Sequence, residues 1–263
     1  MRAETGLILS PLRCLYRLFQ LEPQLIANGL TAEVDSSETV SRLKLLSSHD
    51  EAGNVRTFVF ETGGLEWIAG QSQGYVLPQV GEKEEDNQRW FTIASAPSEG
   101  EIHISTRVTD SKFKQALNAM KAGEHIHAYG LEGNFTWEEE PSDPVVFVAA
   151  GIGITPFRSI LFMRDVSGKR LNSTLLYFNR TMDVPFLTEL KALDIKHSEF
   201  SMILVVGEQI SADAIIKLAP QARMQTVFLS GPEPMVEAIG SELRDRGIAI
   251  KQDWFPGYDE KSY

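Results

Sequence analysis

The sequence predicts two folded parts in series, an antiparallel β-barrel followed by a doubly wound parallel α/β sheet. Over residues 30–137 apolar and polar residues mostly alternate, which is typical of strands with one buried face. From residue 145 onwards, short continuous apolar runs alternate with helical stretches, as in buried parallel strands joined by helices. The acidic segment 138–144 between them contains two prolines and is typical of a linker. We therefore expect an N-terminal extension with a short helix at 1–29, a barrel domain at 30–140 and an α/β domain at 141–263.

Composition excludes several classes of protein. With 263 residues of which 43% are hydrophobic, each part can bury a core. The 36 acidic and 25 basic residues give a net charge of −11, which disfavours nucleic acid as a partner. The single cysteine, Cys14, excludes an intramolecular disulfide and a Cys-ligated zinc or iron–sulfur cluster. No apolar run reaches the roughly 18 residues of a transmembrane segment, and no signal peptide is evident, so we expect a cytoplasmic protein.

The first part begins with a short predicted helix after Ser10-Pro11, with Leu12, Leu15 and Phe19 on one face. This helix either docks on the rest of the protein or, with its arginines, lies on a membrane surface. A second helix is predicted at 112–121, ended by Gly123, and a charged mobile loop at 81–88. The strands are predicted at 40–45, 55–61, 74–77, 89–94 and 101–108.

The second part alternates strands and helices in the order that a parallel sheet requires. The strands are predicted at 145–149, 174–178, 201–206, 226–229 and 248–252. The helices are predicted at 156–165, 186–193, 212–218 and 233–246.

Two turns in the α/β part indicate a nucleotide site. Gly151, Gly153 and Thr155 stand between a buried strand and a helix that opens with Pro156, where Thr155 is placed to cap the helix. A second turn, at 229–235, also joins a strand to a helix. Because ligands bind at the carboxyl ends of parallel strands, two such turns favour a nucleotide crevice. A plain glycine turn and a methyltransferase-type loop remain alternatives.

In the barrel part, a cation, an aromatic ring and a hydroxyl follow one another at Arg89, Phe91 and Thr92. An ordinary strand with one exposed arginine is the alternative. The segment 70–74 matches the G-x-S-x-G pattern of hydrolases, but a strand is predicted after its serine where the nucleophile elbow needs a helix. The histidines are scattered, so we expect no metal site.

Six motifs in order resemble the ferredoxin–NADP reductase-like flavoprotein family, over about residues 30–258. They correspond to its Pro-Gly-Gln turn, its Arg-x-aromatic-Ser/Thr flavin signature, the start of its pyrophosphate helix, its Gly-Pro-x-Gly-x-Phe turn, its Gly-x-Gly-x-Thr-Pro loop and its Cys/Ser-Gly-Pro-x-x-Met turn. In this chain they are found at 69–71, 89–92, 108–113, 130–135, 151–156 and 230–235. The chain departs from the pattern at Phe91, where tyrosine is commoner, at Ser230, where some members carry cysteine, and in lacking the glycine before the pyrophosphate helix.

The resemblance implies roles for individual residues. Arg89 is expected to neutralise the flavin pyrophosphate, Ser111 to cap the helix beside it, and Thr92 to hydrogen-bond near flavin N5. The implied FAD-binding residues are Arg89, Trp90, Phe91, Thr92, Thr106, Val108, Ser111 and Phe113. The implied NAD(P)-binding residues are Gly151, Gly153, Thr155, Pro156, Asn179, Arg180, Gly231, Pro232 and Met235. The implied catalytic residues are Thr92, Ser230 beside the nicotinamide, and Phe255 over the flavin ring.

The implied activity is that of an FAD-dependent oxidoreductase, with hydride transfer from NAD(P)H to flavin N5 and electrons then passed to an external acceptor. Tyr258 and Tyr263 are alternative covers for the flavin, and Asp253 is a nearby charge or proton relay. Arg180 either meets a 2′-phosphate or pairs with Asp183, giving at best a modest preference for NADPH. The electron acceptor is either a redox protein or a small molecule. Lys112, Lys114 and Lys121 are either a docking patch for such a protein or a solvated helix face. The alternative functions are a flavin-bound electron-relay or regulatory subunit without NAD(P)H turnover, and a methyltransferase-like nucleotide-binding protein without flavin.

Overall fold

The chain, seen in a computed structural model, forms two β-sheets; the structure describes residues 40–80, 84–137 and 144–255. The first sheet is antiparallel and the second is parallel, so the predicted fold class is confirmed. The predicted N-terminal helix and residues 138–143 of the predicted linker lie outside the described residues. Within the described ranges, no helix is long and apolar enough to cross a membrane.

The antiparallel sheet has six strands and curves into a barrel. Its order is β4-β3-β6-β1-β2-β5, and beyond the end of β4 the N–H of Ala94 donates to the His103 carbonyl in β5 at 2.9 Å, which brings the two edges together. The strands are β1 (Ser41–Ala52), β2 (Val55–Glu61), β3 (Ser72–Val76), β4 (Gln88–Thr92), β5 (Glu101–Arg107) and β6 (His125–Glu132). Two helices accompany them, α1 (Glu84–Asn87) and α2 (Lys112–Ala119).

The barrel interior is filled by alternate residues of its strands, as a period of two dictates. Phe58 and Phe60 of β2 and Tyr75 of β3 are fully buried there. Helix α2 adds Phe113 and Leu117, both fully buried, to the same core. The helix is therefore held to the barrel by its apolar face, and its first turn has a fixed position.

The parallel sheet has five strands in the order β11-β10-β7-β8-β9. The strands are β7 (Val145–Ala150), β8 (Ser173–Asn179), β9 (Phe200–Val206), β10 (Thr226–Pro232) and β11 (Ile250–Phe255). The helices are α3 (Thr155–Val166), α4 (Leu187–Lys196), α5 (Ala212–Leu218) and α6 (Glu233–Asp245). All six residues of β7 are buried, since α3 and α4 cover one face of the sheet and α5 and α6 the other.

The strand order reverses between β7 and β10. From β7 the chain winds outward to β8 and β9, and then crosses back to place β10 on the other side of β7. Crossovers from these two neighbouring strands leave in opposite directions, which opens a crevice at their carboxyl ends. Both predicted glycine turns follow these two strands, so the fold brings them together.

Several local predictions are corrected by the structure. Part of the predicted loop at 81–88 is helical, because Glu84–Asn87 forms α1. Helix α2 ends at Ala119 rather than at Lys121, and Gly123, the predicted stop signal, donates its N–H to the Leu45 carbonyl at 2.8 Å. The last strand begins and ends later than predicted, at Ile250 and Phe255, which places Asp253 inside it.

Aromatic rings join the barrel to the parallel sheet. Phe135, which follows β6, lies 5.5 Å from the ring of Phe157 in α3 and 5.3 Å from that of Phe228 in β10. The Trp137 and Phe147 rings meet edge to face at 5.2 Å. Aromatic pairs in these geometries stabilise a contact by about 0.5–1.5 kcal/mol beyond the area that they bury.

The two glycine turns contact each other through their backbones. A Cβ atom on Gly153 would lie 2.6 Å from the Ser230 carbonyl carbon and 2.8 Å from Gly231 Cα, in space occupied by main chain. We expect Gly153→Ala to lower the free energy of unfolding by about 3 kcal/mol or more, because backbone on both sides must move.

The measurement is urea unfolding, with Gly168→Ala as the matched control. Gly168 has φ +65° and open space around it, so only its left-handed conformation is penalised, by about 1–2 kcal/mol. Equal losses in the two variants would contradict the close approach of the two turns.

Candidate active site

The first glycine turn ends β7 and starts helix α3. Gly151–Ile154 forms a 3₁₀ turn in which Gly151 has φ 56°, and Thr155 and Pro156 are the first two residues of the helix. The Thr155 hydroxyl donates to the Ile152 carbonyl at 3.2 Å, so the prediction that Thr155 caps the helix is wrong. The helix N-cap is Ile154, whose side chain has no hydrogen-bonding group. The Thr155 N–H donates to the Ile152 carbonyl and Pro156 has no N–H, so the helix start attracts an anion through the positive end of its dipole.

The second turn is the end of β10. Ser230, Gly231 and Pro232 are the last residues of that strand, and α6 begins directly after them at Glu233. Met235, in the first turn of α6, is buried and packs against Gly231. These residues therefore line the reversal point of the sheet from the β10 side, next to the turn at 151–154.

Three polar side chains from both sheets meet at this edge, and we call them the hydroxyl–carboxyl cluster: Thr92, Ser230 and Asp253. The Thr92 and Ser230 hydroxyls each donate to Asp253 Oδ2, both at 3.3 Å. Thr92 is the last residue of β4 in the barrel, whereas Ser230 and Asp253 are paired in register on β10 and β11. The sequence predicts Thr92 and Ser230 as site residues and Asp253 as a nearby charge or proton relay, and the structure shows the Asp253 carboxyl joining the two hydroxyls.

Asp253 holds its proton more tightly than an ordinary carboxyl. Although the residue is only half-buried overall, its carboxyl group is enclosed by protein. That burial raises the pKa of Asp253 from 3.8 to about 7, against the opposing effect of the hydrogen bonds from Ser230 and Thr92. A group with this pKa exchanges a proton near neutral pH, which suits general acid–base chemistry.

A cation lies at the start of helix α2. Arg89 Nη1 donates to the Gln88 carbonyl at 2.6 Å, and Arg89 Nη2 donates to Ser111 Oγ at 3.2 Å. Ser111 is the N-cap residue of α2, but its hydroxyl makes no capping hydrogen bond to the helix. The predicted cap at Ser111 is therefore wrong. Its hydroxyl instead holds the guanidinium at the positive end of the helix, an arrangement that attracts an anion.

The other predicted FAD-binding residues lie on both sides of the barrel wall. Phe91 and Phe113 point into the barrel core, with their rings 5.9 Å apart. Trp90 is half-buried and packs edge to face on Tyr129, with 5.5 Å between the rings. Thr106 is buried and Val108 is half-buried, at the end of β5 and just after it. Thus the barrel brings Arg89, Ser111 and Thr92 to its surface and uses Phe91 and Phe113 for packing.

The carboxyl end of β8 forms a third part of the site. Asn179 is its last residue and is buried, and Arg180 follows it exposed. Burial strongly raises the pKa of the Tyr177 hydroxyl in β8. The positive charge of Arg107, at the end of β5, acts in the opposite direction and lowers that pKa. The β1–β2 hairpin also reaches this region, because a Cβ atom on Gly53 would lie 3.1 Å from Asp183 Cβ.

Asp253 is absent from the predicted binding and catalytic residues, although the sequence analysis gives it as a nearby charge or proton relay. The last strand is predicted to end at residue 252, so the pairing of Asp253 with Ser230 is not predicted. For Phe255 the structure gives the backbone position, opposite Pro232 at the end of β11.

The hydrolase alternative finds no support in the local structure. Ser72, the serine of the G-x-S-x-G match, is the first residue of β3, and a strand continues from it to Val76. A nucleophile elbow requires a helix at that point.

Comparison with known proteins shows which sequences and folds this chain resembles. No model of a known protein family matches the sequence. The chain is 28% identical to a flavohemoprotein of Candida albicans over 65% of this chain, and it spans only 47% of that protein's length. It is 31% identical to ferredoxin–NADP reductase B of Sorangium cellulosum, over 54% of this chain and 56% of that protein. An oxidoreductase NAD-binding domain-containing protein 1 of Danio rerio is 25% identical over 82% of this chain and 85% of its own length.

Solved structures share the fold. A cytochrome P450 reductase from Amycolatopsis superposes with a TM-score of 0.71 at 20% identity, covering 86% of this chain and 73% of that chain. The ferredoxin–NADP⁺ reductase of Plasmodium falciparum superposes with a TM-score of 0.69 at 15% identity, covering 82% and 97%. The chain thus has the fold of ferredoxin–NADP reductases, and its sequence is similar to that of several reductases, as its ordered motifs predict.

The raised pKa of Asp253 gives a prediction for stability. Between about pH 4 and pH 7 the folded protein keeps a proton that the unfolded chain has lost, so folding becomes less favourable as the pH rises through this window. The loss is up to about 1.4 kcal/mol per pH unit. We expect Asp253→Asn to remove this slope, because an amide does not titrate.

The measurement is urea unfolding of both proteins at several pH values from 4 to 8. Glu99, Asp165 and Glu199 have lowered pKa values, but they are present in both proteins and cancel in the difference. A difference in stability that does not change across the window would show that the Asp253 carboxyl has an ordinary pKa.

Proposed function

We propose that the chain is an NAD(P)H-dependent flavin oxidoreductase that uses FAD and passes electrons to an external acceptor. The observation that carries the proposal is the hydroxyl–carboxyl cluster, which connects the end of barrel strand β4 with the reversal point of the parallel sheet. A flavin held by the barrel and a nicotinamide held by the sheet both need groups at this junction. The relatives reported above support the same pair of cofactors.

The barrel residues fit an FAD pyrophosphate. Arg89 is fixed at the first turn of α2 by Ser111, and the turn offers N–H groups and the positive end of the helix dipole. A phosphate there would receive hydrogen bonds from a cation and from backbone. Thr92, the fifth and last residue of β4, then supplies a barrel hydroxyl that reaches Asp253 on the coenzyme side.

The parallel sheet fits the phosphates of a nicotinamide dinucleotide. The start of α3 adjoins the glycine turn at 151–154, so a phosphate there would meet glycine backbone and the positive end of the helix dipole. Arg107, at the end of β5, is a further candidate for the same phosphates, because its positive charge acts on the pKa of Tyr177 in β8. Arg180 follows β8, where a ribose phosphate of NADPH would be recognised.

When bound, NAD(P)H would supply a hydride, and FAD would accept it and deliver one or two electrons to the acceptor. The protein's own residues orient the rings and control a proton. Thr92 and Ser230 present hydroxyls from opposite sheets, and Asp253 holds or releases a proton near pH 7 through either of them. Phe255, at the end of β11, is proposed to cover the flavin ring until the nicotinamide displaces it.

The acceptor is proposed to be a partner protein. Relatives include reductase components of monooxygenases from Rhodococcus jostii and Chromohalobacter salexigens, whose names imply a protein partner. The lysines of α2 do not form a common docking patch, because Lys114 is buried and Lys112 pairs with Asp86 at 2.8 Å.

The experiment that tests the proposal is a spectrum of the purified protein. Oxidised flavin should absorb at about 450 nm, and anaerobic NADH or NADPH should bleach that band. Flavin absorbance without bleaching would identify a relay or regulatory subunit. A colourless protein that FAD does not reconstitute would overturn the proposal.

Arg89→Ala tests the proposed phosphate contact. One buried charge-assisted contact is equivalent to about 1.5–3 kcal/mol, so FAD affinity should fall by about tenfold to a hundredfold. The barrel core does not contain this side chain, and the variant should fold. FAD retention is measured after dialysis, with Arg42→Ala as control, because Arg42 is an exposed arginine on β1. Equal FAD retention in both variants would show that Arg89 does not contact the FAD phosphates.

Phe255→Ala tests the proposed flavin cover. Ring stacking contributes about 0.5–1.5 kcal/mol, so removing the ring should tighten NAD(P)⁺ binding by up to about tenfold and shift the flavin spectrum. The readout is a titration with NADP⁺ and NAD⁺, and Trp254→Ala is the neighbouring aromatic control, 47% exposed on the same strand. If the spectrum and affinities stay constant while thermal stability falls, Phe255 is a packing residue.

A further inference from the structure

Arg158, on helix α3, makes an unusually dense set of contacts that the proposed chemistry does not use. Its side chain is 5% exposed. Its guanidinium donates to both oxygens of Glu99, at 2.9 and 3.0 Å, and to both oxygens of Glu189, at 2.8 and 3.4 Å. The rings of Phe162 and Phe186 lie 4.6 and 5.2 Å from its central carbon. Both the position and the orientation of this group are therefore fixed.

The same guanidinium also forms a hydrogen bond with the barrel backbone just beyond β4. Arg158 Nη1 donates to the Ala94 carbonyl at 2.9 Å, and the neighbouring Ser159 hydroxyl donates to the Ser95 carbonyl at 2.6 Å. Ala94 is two residues after Thr92, the barrel member of the hydroxyl–carboxyl cluster. Arg158 is three residues after Thr155, the first residue of α3.

The closeness of Ala94 to Thr92 and of Arg158 to Thr155 matters because the two segments are far apart along the chain. Ala94 and Arg158 are 64 residues apart in sequence. The distance between the proposed flavin side and the proposed coenzyme side is thus set by non-covalent contacts. Arg158 makes one of these contacts, since it connects the helix that starts at the glycine turn to the segment just after the strand that ends at Thr92.

We propose that Arg158 is a positioning residue that fixes Thr92 relative to the coenzyme-binding turn, and so sets the geometry in which the nicotinamide meets the flavin. The inference rests on the proposed function for its kinetic consequence. Its structural consequence, the placement of Thr92 against Asp253, can be tested without any cofactor.

Glu99 and Glu189 complete the anchor. Glu99 also accepts the Ala96 N–H at 2.5 Å, so the carboxylate holds the barrel segment and the guanidinium at once. Burial would raise the pKa of Glu99, but its hydrogen bonds and charge interaction with Arg158 lower it overall. The ion pair is therefore intact at the pH at which the enzyme would be assayed. Lysine could not reproduce this geometry, because its single ammonium lacks the planar fork.

Arg164 provides a matched control on the same helix. It is also buried, lies over the Trp137 ring at 3.9 Å and donates to the Trp137 and Arg170 carbonyls at 2.9 and 3.0 Å. It holds the segment after β6 instead of the segment after β4. Its removal should therefore cost stability without moving Thr92.

The experiment compares Arg158→Met, Arg158→Lys and Glu99→Gln with Arg164→Met in the FAD-loaded protein. Flavin reduction is followed by anaerobic stopped flow over a range of NAD(P)H concentrations, which separates the rate at saturation from coenzyme affinity. We expect Arg158→Met to lower the saturating rate by about tenfold to a hundredfold, as small misplacements of reacting groups do. Coenzyme affinity should change far less. Arg158→Lys and Glu99→Gln should be intermediate, and they keep the test decisive if Arg158→Met does not fold.

A second readout needs neither cofactor nor turnover. The Asp253 carboxyl is titrated by ¹³C NMR in the apoprotein. Arg158→Met and Glu99→Gln should move its apparent pKa from about 7 towards the ordinary value, because Thr92 no longer encloses it in the same way. Arg164→Met should leave the titration as in the wild type.

The outcomes separate the two hypotheses. If NAD(P)H does not bleach the wild-type flavin, the proposed function fails, and the titration alone decides the role of Arg158. If the wild type is bleached but the Arg158 and Glu99 variants match Arg164→Met in both readouts, Arg158 only stabilises the fold and the inference is overturned. A fall in affinity with an unchanged saturating rate would overturn it as well.

Discussion

The backbone contact between the two glycine turns is the constraint on which the site depends. Gly153 packs on the main chain of Ser230 and Gly231, with no room for a side chain between them. This contact fixes the start of α3 against the end of β10, on either side of the point where the strand order reverses. Ser230 can then present its hydroxyl at a defined distance from the α3 N-terminus. The barrel contributes Thr92 to an edge that is already rigid.

Much of the fold follows from the sequence because local patterns determine it. The continuous apolar run at 145–149 predicts β7 since that strand is covered on both faces, and Val145–Ala150 is buried throughout. The two turns are predictable because glycine permits backbone conformations that other residues avoid and proline fixes φ, both of which are local effects. The helix Glu84–Asn87 was missed because four charged or polar residues carry no apolar period; its buried residue, Asn87, is polar.

The candidate site follows from the sequence only in part. Thr92 and Ser230 belong to motifs, but Asp253 joins them through a pairing 161 residues away from Thr92, which no local pattern encodes. The predicted capping roles of Thr155 and Ser111 are wrong because a hydroxyl at a helix start can form hydrogen bonds outside the helix. The Thr155 hydroxyl donates to the Ile152 carbonyl, and the Ser111 hydroxyl accepts from Arg89. Arg158 gave no signal in the sequence, since an arginine within an apolar helical stretch can equally be exposed.

The approach of the β1–β2 hairpin to Asp183 affects how coenzyme preference can be engineered. Gly53 lies at the hairpin tip with φ 56°, where its missing side chain leaves Asp183 close by. The loop that carries Arg180 is therefore supported by the barrel as well as by its own sheet. Exchanging that loop for one of another length or charge would bring it against the hairpin. A redesign would have to treat residues 52–54 and 180–183 as a single unit, although they belong to different sheets.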